Sequence, residues 1–122
     1  MTLMKPMDEN FPVDHQLAIE AAPVVLINLF TLDALDEGQF LDAWKDDAEF
    51  MQRQPGFIST QLHRALGESP TYLNYAVWDS TGAFRAAFTN PEFIAKLGGY
   101  PSSAVARPHL FQKVGVTGTW TA

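Results

Sequence analysis

The sequence predicts an α+β chain of ferredoxin-like order, β-α-β-β-α-β, whose antiparallel sheet carries two helices on one face. Three observations predict it. Residues 24–30 are a nearly continuous apolar run, Val-Val-Leu-Ile-Asn-Leu-Phe, too short for a helix and rich in branched side chains. Within residues 36–54, Phe40, Trp44, Ala48 and Met51 recur at spacings of four, four and three, which is one face of a helix. Residues 57–66 and 71–78 are strand-like runs on either side of Gly67-Glu68-Ser69-Pro70, which reads as the turn of a hairpin.

Taken in order, residues 1–22 are polar and acidic, with three methionines and two prolines, and read as an arm lying over the rest; the folded domain spans 23–122. The run at 24–30 demands burial of both its faces. The helix that follows sets Asp42, Asp46, Glu49 and Arg53 opposite its apolar stripe and stops at Pro55-Gly56. After the hairpin, Asp79-Ser80 offers an N-cap to a second helix whose apolar face holds Ala83, Phe84, Ala87 and Phe88. Asn90-Pro91 starts another helical turn bearing Phe93, Ile94 and Leu97, and Gly98-Gly99 ends it. Residues 110–116, after Pro108, make the last strand. Two helices cover only one face of such a sheet. Apolar groups on both faces of 24–30 and 57–66 call for a second cover, and another copy of the sheet is the economical one: a homodimer forming a dimeric α/β barrel.

Composition excludes several functions. A chain of 122 residues, 47% hydrophobic, is one globular domain with a core of its own. The absence of cysteine removes zinc ribbons, iron–sulfur ligation, thiol nucleophiles and a secreted disulfide framework. Eight basic against 14 acidic side chains leave a net charge of −6, and most of the eight are scattered singly, so no nucleic acid partner is expected. No window reaches the roughly 18 consecutive apolar residues of a membrane span. Lys5 is followed by no apolar stretch, so no signal peptide is expected and the protein should be cytoplasmic. Phosphate-binding glycine loops, a Gly-x-Ser-x-Gly elbow and flavin or nicotinamide fingerprints are also missing.

Few residues can do chemistry, and two of them are out of place. Asparagine is depleted from strands, yet Asn28 and Asn74 each sit inside one between large apolar neighbours. A buried amide without partners costs about 1–3 kcal/mol, so each must bond the backbone, water or a ligand. Alternation puts Tyr72, Asn74, Ala76 and Trp78 on one face of their strand. If Gly67 to Pro70 is a four-residue loop, Leu66 faces Thr71, and counting outward sets His63 opposite Asn74 and Ser59 opposite Trp78. His15 and His109 have no metal-binding spacing to each other or to an acid. The acidic run of Asp33, Asp36, Glu37, Asp42, Asp46, Asp47 and Glu49 reads as a helix N-terminus followed by a solvated face.

The stretches Val25-Leu26-Ile27-Asn28-Leu29-Phe30, Gln54-Pro55-Gly56-Phe57, Tyr72-Leu73-Asn74-Tyr75-Ala76-Val77-Trp78-Asp79-Ser80 and Phe84-Arg85-Ala86-Ala87-Phe88 resemble the antibiotic biosynthesis monooxygenase family, over about residues 23–115. The resemblance implies a dimeric α/β barrel. Among members, the pattern is most similar to anthrone oxygenases, whose pocket residues map onto Asn28, Asn74 and Trp78; a tyrosine of some of them falls at Phe84. Haem-degrading relatives use a histidine on the second helix, and quinol-oxidising ones carry histidines near Phe88 and Glu92; this chain has none there. The resemblance therefore implies a cofactor-independent oxidation of a phenolic or anthrone-type aromatic to a quinone, with dioxygen as co-substrate. Asn28 and Asn74 would hold the enolate oxygens, Trp78 the developing peroxide, and His63 would position or shuttle a proton. Phe30, Trp44, Tyr72, Phe84 and Phe88 would form the apolar walls. A non-catalytic aromatic-binding barrel and a haem-binding or haem-degrading relative remain as other readings.

Overall fold

The computed structural model describes residues 3–119. In chain order its elements are β1 (Leu3–Met4), α1 (Val13–Gln16), β2 (Val24–Thr31), α2 (Glu37–Gln52), β3 (Phe57–Arg64), β4 (Thr71–Trp78), α3 (Thr81–Phe88), α4 (Pro91–Lys96) and β5 (Val105–Phe111). The sheet runs β1-β5-β2-β4-β3. Its last four members are antiparallel and have the ferredoxin-like order expected from the sequence; β1 joins β5 in parallel, which makes a mixed, open sheet of five strands.

Local signals work where they were read. The Ser80 side chain accepts from Ala83 N at 3.1 Å to cap α3, and Asn90 Oδ1 accepts from Glu92 N at 2.8 Å to cap α4, with Pro91 in its first turn. At the end of α2 the chain reverses at Gly56, where φ is +84° and a side-chain carbon would run into Ala83 Cβ, so glycine is required on both counts.

The side of the sheet under the helices is the buried one. Val24, Leu26, Ala76 and Trp78 pack with Phe84 and Ala87 in one cluster, while Phe30, Tyr72 and Ala106 pack with Phe40 and Tyr100 in another. On the other side Val25, Ile27 and Leu29 of β2 keep intermediate exposure, so within one chain the first strand is buried on one face and not on both.

Two strand assignments change. The last strand is Val105–Phe111 rather than 110–116, and Pro108 lies inside it. Lys5 N donates to Ala106 O at 2.9 Å, so the polar groups of Ala106, and by alternation of Pro108, point to the outer edge of β5. β1 is only two residues long and ends before that point, so a missing N–H at Pro108 costs nothing. Further along the same edge the Gln16 side chain takes over, accepting from Leu110 N at 2.8 Å and donating to Leu110 O at 3.0 Å. The N-terminal arm thus lies along β5 and covers a sheet edge that would otherwise offer free backbone groups. It also adds Leu17 to the core, and Arg85 Nη1 donates to Leu17 O at 2.6 Å.

The hairpin register is the second change. Ala65 N donates to Thr71 O at 2.8 Å, closing a five-residue loop over 66–70, and Arg64 Nη1 donates to Gly67 O at 2.7 Å to hold it. An odd loop shifts the pairing by one from that of a four-residue loop: Leu62 faces Asn74, and His63 faces Leu73. A bulge between Phe57 and Ser59 then sets Phe57, not Ser59, opposite Trp78.

Candidate active site

The register of β2 on β4 puts Asn28 directly opposite Asn74, and Val24 opposite Trp78, all on the face under the helices. The two out-of-place asparagines are therefore neighbours, with Cβ atoms within about 5.5 Å as in any cross-strand pair. They form part of the floor of a cavity enclosing about 500 Å³ of empty space including its mouth. Trp78 extends the floor, and Phe30, Trp44, Phe84 and Phe88 supply walls, as expected. The rings are edge-on or stacked: Phe57 lies 5.4 Å from Trp78 at 86°, Trp78 5.8 Å from Phe84 at 68°, and Phe84 5.0 Å from Phe88 at 28°.

The polar groups in this apolar shell are incompletely paired. Asn74 Oδ1 accepts the Thr60 hydroxyl from β3, which fixes the amide and leaves its NH2 without a partner among the described residues. Asn28 Oδ1 is buried with no partner among the described residues. The Trp78 indole N–H makes no hydrogen bond among the described residues, but it is not one of the atoms shut off from solvent. Asn28, Asn74 and Trp78 all line the cavity, so their unpaired polar groups lie where a polar ligand could meet them.

Two of the expected residues are not there. His63 is exposed and, one residue out of the anticipated register, lies on the opposite face of the sheet from Asn74. Tyr72 is on the cavity side of β4 but beyond the cavity: its ring packs 4.7 Å from Phe40 and its hydroxyl donates to Glu37 Oε1 at 2.6 Å. That carboxylate also accepts from Arg64 Nε at 2.7 Å, and the Arg64 bond, then the Tyr72 bond, hold the Glu37 carboxyl below its ordinary range.

Asp47 is the residue that sequence reasoning missed. Counted with the solvated acidic run, it instead lines the cavity with the asparagines. Its Oδ2 accepts from the Tyr100 hydroxyl at 2.8 Å and its Oδ1 is buried without a partner. Burial pushes its carboxyl up to about 6, against the smaller opposing effects of the Tyr100 hydrogen bond and the Lys96 charge. A signal was present: Asp47 is three residues after Trp44 and four before Met51, on the apolar stripe of the helix rather than opposite it. Thr60 was missed because it reaches Asn74 only in the observed register. No histidine lines the cavity, and no group of three or more metal-ligating side chains occurs among the described residues.

A ferredoxin-like sheet thus carries, between sheet and helices, an aromatic-walled cavity floored by amides. The family model for antibiotic biosynthesis monooxygenases matches residues 23–95, and the chain belongs to that family. Deoxynogalonate monooxygenase of Streptomyces nogalater is 34% identical over 76 residues, which is 62% of this chain; the match spans 64% of that relative's length. Among solved structures, SnoaB, a cofactor-independent oxygenase from Streptomyces nogalater, superposes with a TM-score of 0.72 at 28% identity, covering 80% of this chain and 99% of that one. A candidate monooxygenase from Shewanella loihica superposes with a TM-score of 0.67 at 31% identity, over 78% and 97% of the two chains. No helix among the described residues is long and apolar enough to cross a membrane.

Proposed function

We propose that this chain is a cofactor-independent monooxygenase that uses dioxygen to oxidise a phenolic or anthrone-type aromatic to a quinone. The observation that carries the reading is the Asn28–Asn74 pair, set side by side in a cavity with Trp78 and six further aromatic rings. An anthrone is acidic enough for its enolate to be reached near neutral pH. The enolate carbon can give an electron to dioxygen, recombine to a hydroperoxide and lose water. The protein then has only to bind the rings and stabilise charge. Asn74 Nδ2 and the Asn28 amide would hold the enolate oxygens, and the Trp78 N–H the developing peroxide, as preorganised donors in a site that excludes water. Cofactor independence is supported by SnoaB, described as a cofactor-independent oxygenase. A haem-degrading role that uses an axial histidine finds none among the cavity residues.

Residues 23–122 would be the catalytic domain and 1–22 an arm upon it, acting in the cytoplasm. A homodimer follows from the open side of the sheet, where Val25, Ile27, Leu29, Leu73 and Val77 stay half-exposed. Sedimentation should give twice 13.5 kDa at micromolar concentration, and a stable monomer would refute the pairing.

The function is tested by oxygen uptake with a panel of anthrones and hydroquinones, in metal-free buffer with chelator. One dioxygen should be consumed per quinone formed. Ligands that bind without uptake above the uncatalysed rate would leave the aromatic-binding reading in its place.

A further inference from the structure

Oxygenation of an anthrone begins with loss of a proton, and the amides and indole of the site have no basic atom to receive it. Asp47 is the only ionisable side chain on the cavity wall among the described residues. Its two oxygens are in different situations. Oδ2 is anchored by Tyr100, whose hydroxyl is kept protonated by burial and by the carboxylate itself. Oδ1 is buried and takes part in no hydrogen bond. Asp47 and Asn28 also border the same small void behind the cavity, with Phe30, Phe93 and Tyr100, and both present an oxygen acceptor lacking a donor. Unpaired buried acceptors are costly, and they are satisfied by a ligand that brings a proton rather than by one that accepts it.

We propose that Asp47 is the general base of this cavity, its Oδ1 taking the acidic methylene proton of the substrate and later returning it to the peroxide. The proposal rests on the monooxygenase reading above. The step balances without a further reactant. The methylene carbon gives one proton to Asp47 and becomes a carbanion delocalised onto the carbonyl oxygen, which is the enolate. One electron passes from it to dioxygen, and the carbon radical and superoxide join in a new C–O bond. The peroxide anion takes the proton back from Asp47. The hydroperoxide then loses water by breaking its O–O bond and the remaining C–H bond, leaving a carbonyl. Substrate and dioxygen thus give quinone and water, and the carboxylate is restored.

The groups facing Asp47 are few. Asp46 precedes it on α2, Lys96 comes from the end of α4 and binds Asp46 Oδ2 at 3.1 Å, and Tyr100 follows α4; β2 and β4 present only the uncharged Asn28 and Asn74. A carboxyl raised to about 6 is ionised at neutral pH yet more basic than a solvated one, which suits proton abstraction.

The test measures kcat for oxygen uptake against pH with an anthrone and with the same anthrone deuterated at its methylene carbon. The variants are Asp47→Asn, Tyr100→Phe and Asn74→Ala. Wild type should lose activity on the acid side with a midpoint near 6. Asp47→Asn should turn over about a hundredfold or more slowly. It should also lose the acid limb, show a larger deuterium effect and recover only as pH approaches the ionisation of the anthrone itself. Tyr100→Phe removes a bond that favours the carboxylate, so its limb should move to higher pH. Asn74→Ala should slow the reaction without moving the limb. A folded Asp47→Asn that keeps the wild-type rate, limb and isotope effect overturns the base assignment and leaves the monooxygenase reading standing. Should that variant not fold, a Tyr100→Phe limb unmoved from wild type overturns it instead. A wild type that oxidises none of the panel sinks the monooxygenase reading and the base with it.

Discussion

The layer between sheet and helices is divided into a filled half and a hollow half, built from the same kinds of side chain. In the filled half Phe40 is completely buried, with Phe30 at 5.0 Å, Tyr72 at 4.7 Å and Tyr100 at 5.7 Å, and both tyrosine hydroxyls end on carboxylates, Glu37 and Asp47. In the hollow half Trp78, Phe84 and Phe88 line the cavity, and Asn28, Asn74 and Trp78 keep polar groups without a partner among the described residues. Aromatic content therefore does not separate core from site in this protein. The separation lies in whether the rings fill one another's space and whether each polar atom has a partner. Asp47 stands on the boundary: it lines the cavity, with one oxygen fixed by Tyr100 of the filled half and the other buried without a partner among the described residues.

The comparison is sharpened most by deleting a ring from each half. Phe40→Ala should cost about 3–5 kcal/mol of stability, because its neighbours are fixed and cannot close the gap. Phe88→Ala, half-buried beside space that is already empty, should cost roughly 1–2 kcal/mol. Urea unfolding of the two variants measures the difference, and equal losses would mean that the cavity is as tightly packed as the core.

Turnover should show the reverse order. Trp78→Phe and Asn74→Ala should each lower kcat by about one to three decades with little change in the unfolding midpoint, since each removes a donor to charge that develops in the transition state. Their losses should not add, because both donors serve one intermediate. Steady-state kinetics of the two single variants and the double variant decide it; normal turnover in the single variants would reduce the strand asparagines to structural hydrogen-bonding residues.

At the boundary, activity and stability should pull apart. The Asp47 carboxyl is raised from 3.8 to about 6 in the fold, so between those values the folded chain holds a proton that the unfolded chain has lost. Its contribution is therefore fully present below about pH 4 and is lost as pH rises through 6. Asp47→Asn should then be more stable than wild type at neutral pH, by an amount on the order of 1–3 kcal/mol, while the two converge in acid. Thermal melts at acidic and neutral pH check the sign, and a destabilised variant at neutral pH would place the ionised carboxylate among the groups that hold the fold together.

Most of the fold was legible because it is written in local signals: the stripe of Phe40, Trp44 and Met51, the caps at Ser80 and Asn90, the reversal at Gly56. The cavity floor and Phe30 were legible because alternation along β2 and β4 assigns a face without any knowledge of packing, and Trp44, Phe84 and Phe88 because they lie on the apolar stripes of α2 and α3. What failed depended on longer-range facts. The loop at 66–70 differs by one residue from the simplest turn, and one residue exchanges the faces of a whole strand. Pro108 reads as a strand breaker until the shortness of β1 is known, and Asp47 reads as solvated until Tyr100, 53 residues away, is seen to cover it.

The smallest effect is expected at His63, and it tests the register on which the division of the layer rests. In a four-residue loop this imidazole would stand beside Asn74 in the hollow half and could carry a proton. In the five-residue loop that position belongs to Leu62, and His63 pairs with Leu73 on the far side of the sheet, exposed. The strand lies between it and the cavity, so no rotamer brings the ring to the substrate. His63→Ala should accordingly change kcat by less than about twofold, whereas Leu62→Ala, which removes an apolar side chain packed on the filled half, should lower stability. A tenfold loss at His63 with an unchanged unfolding midpoint would mean that the hairpin pairs one residue away from this register, and would return a histidine to the site.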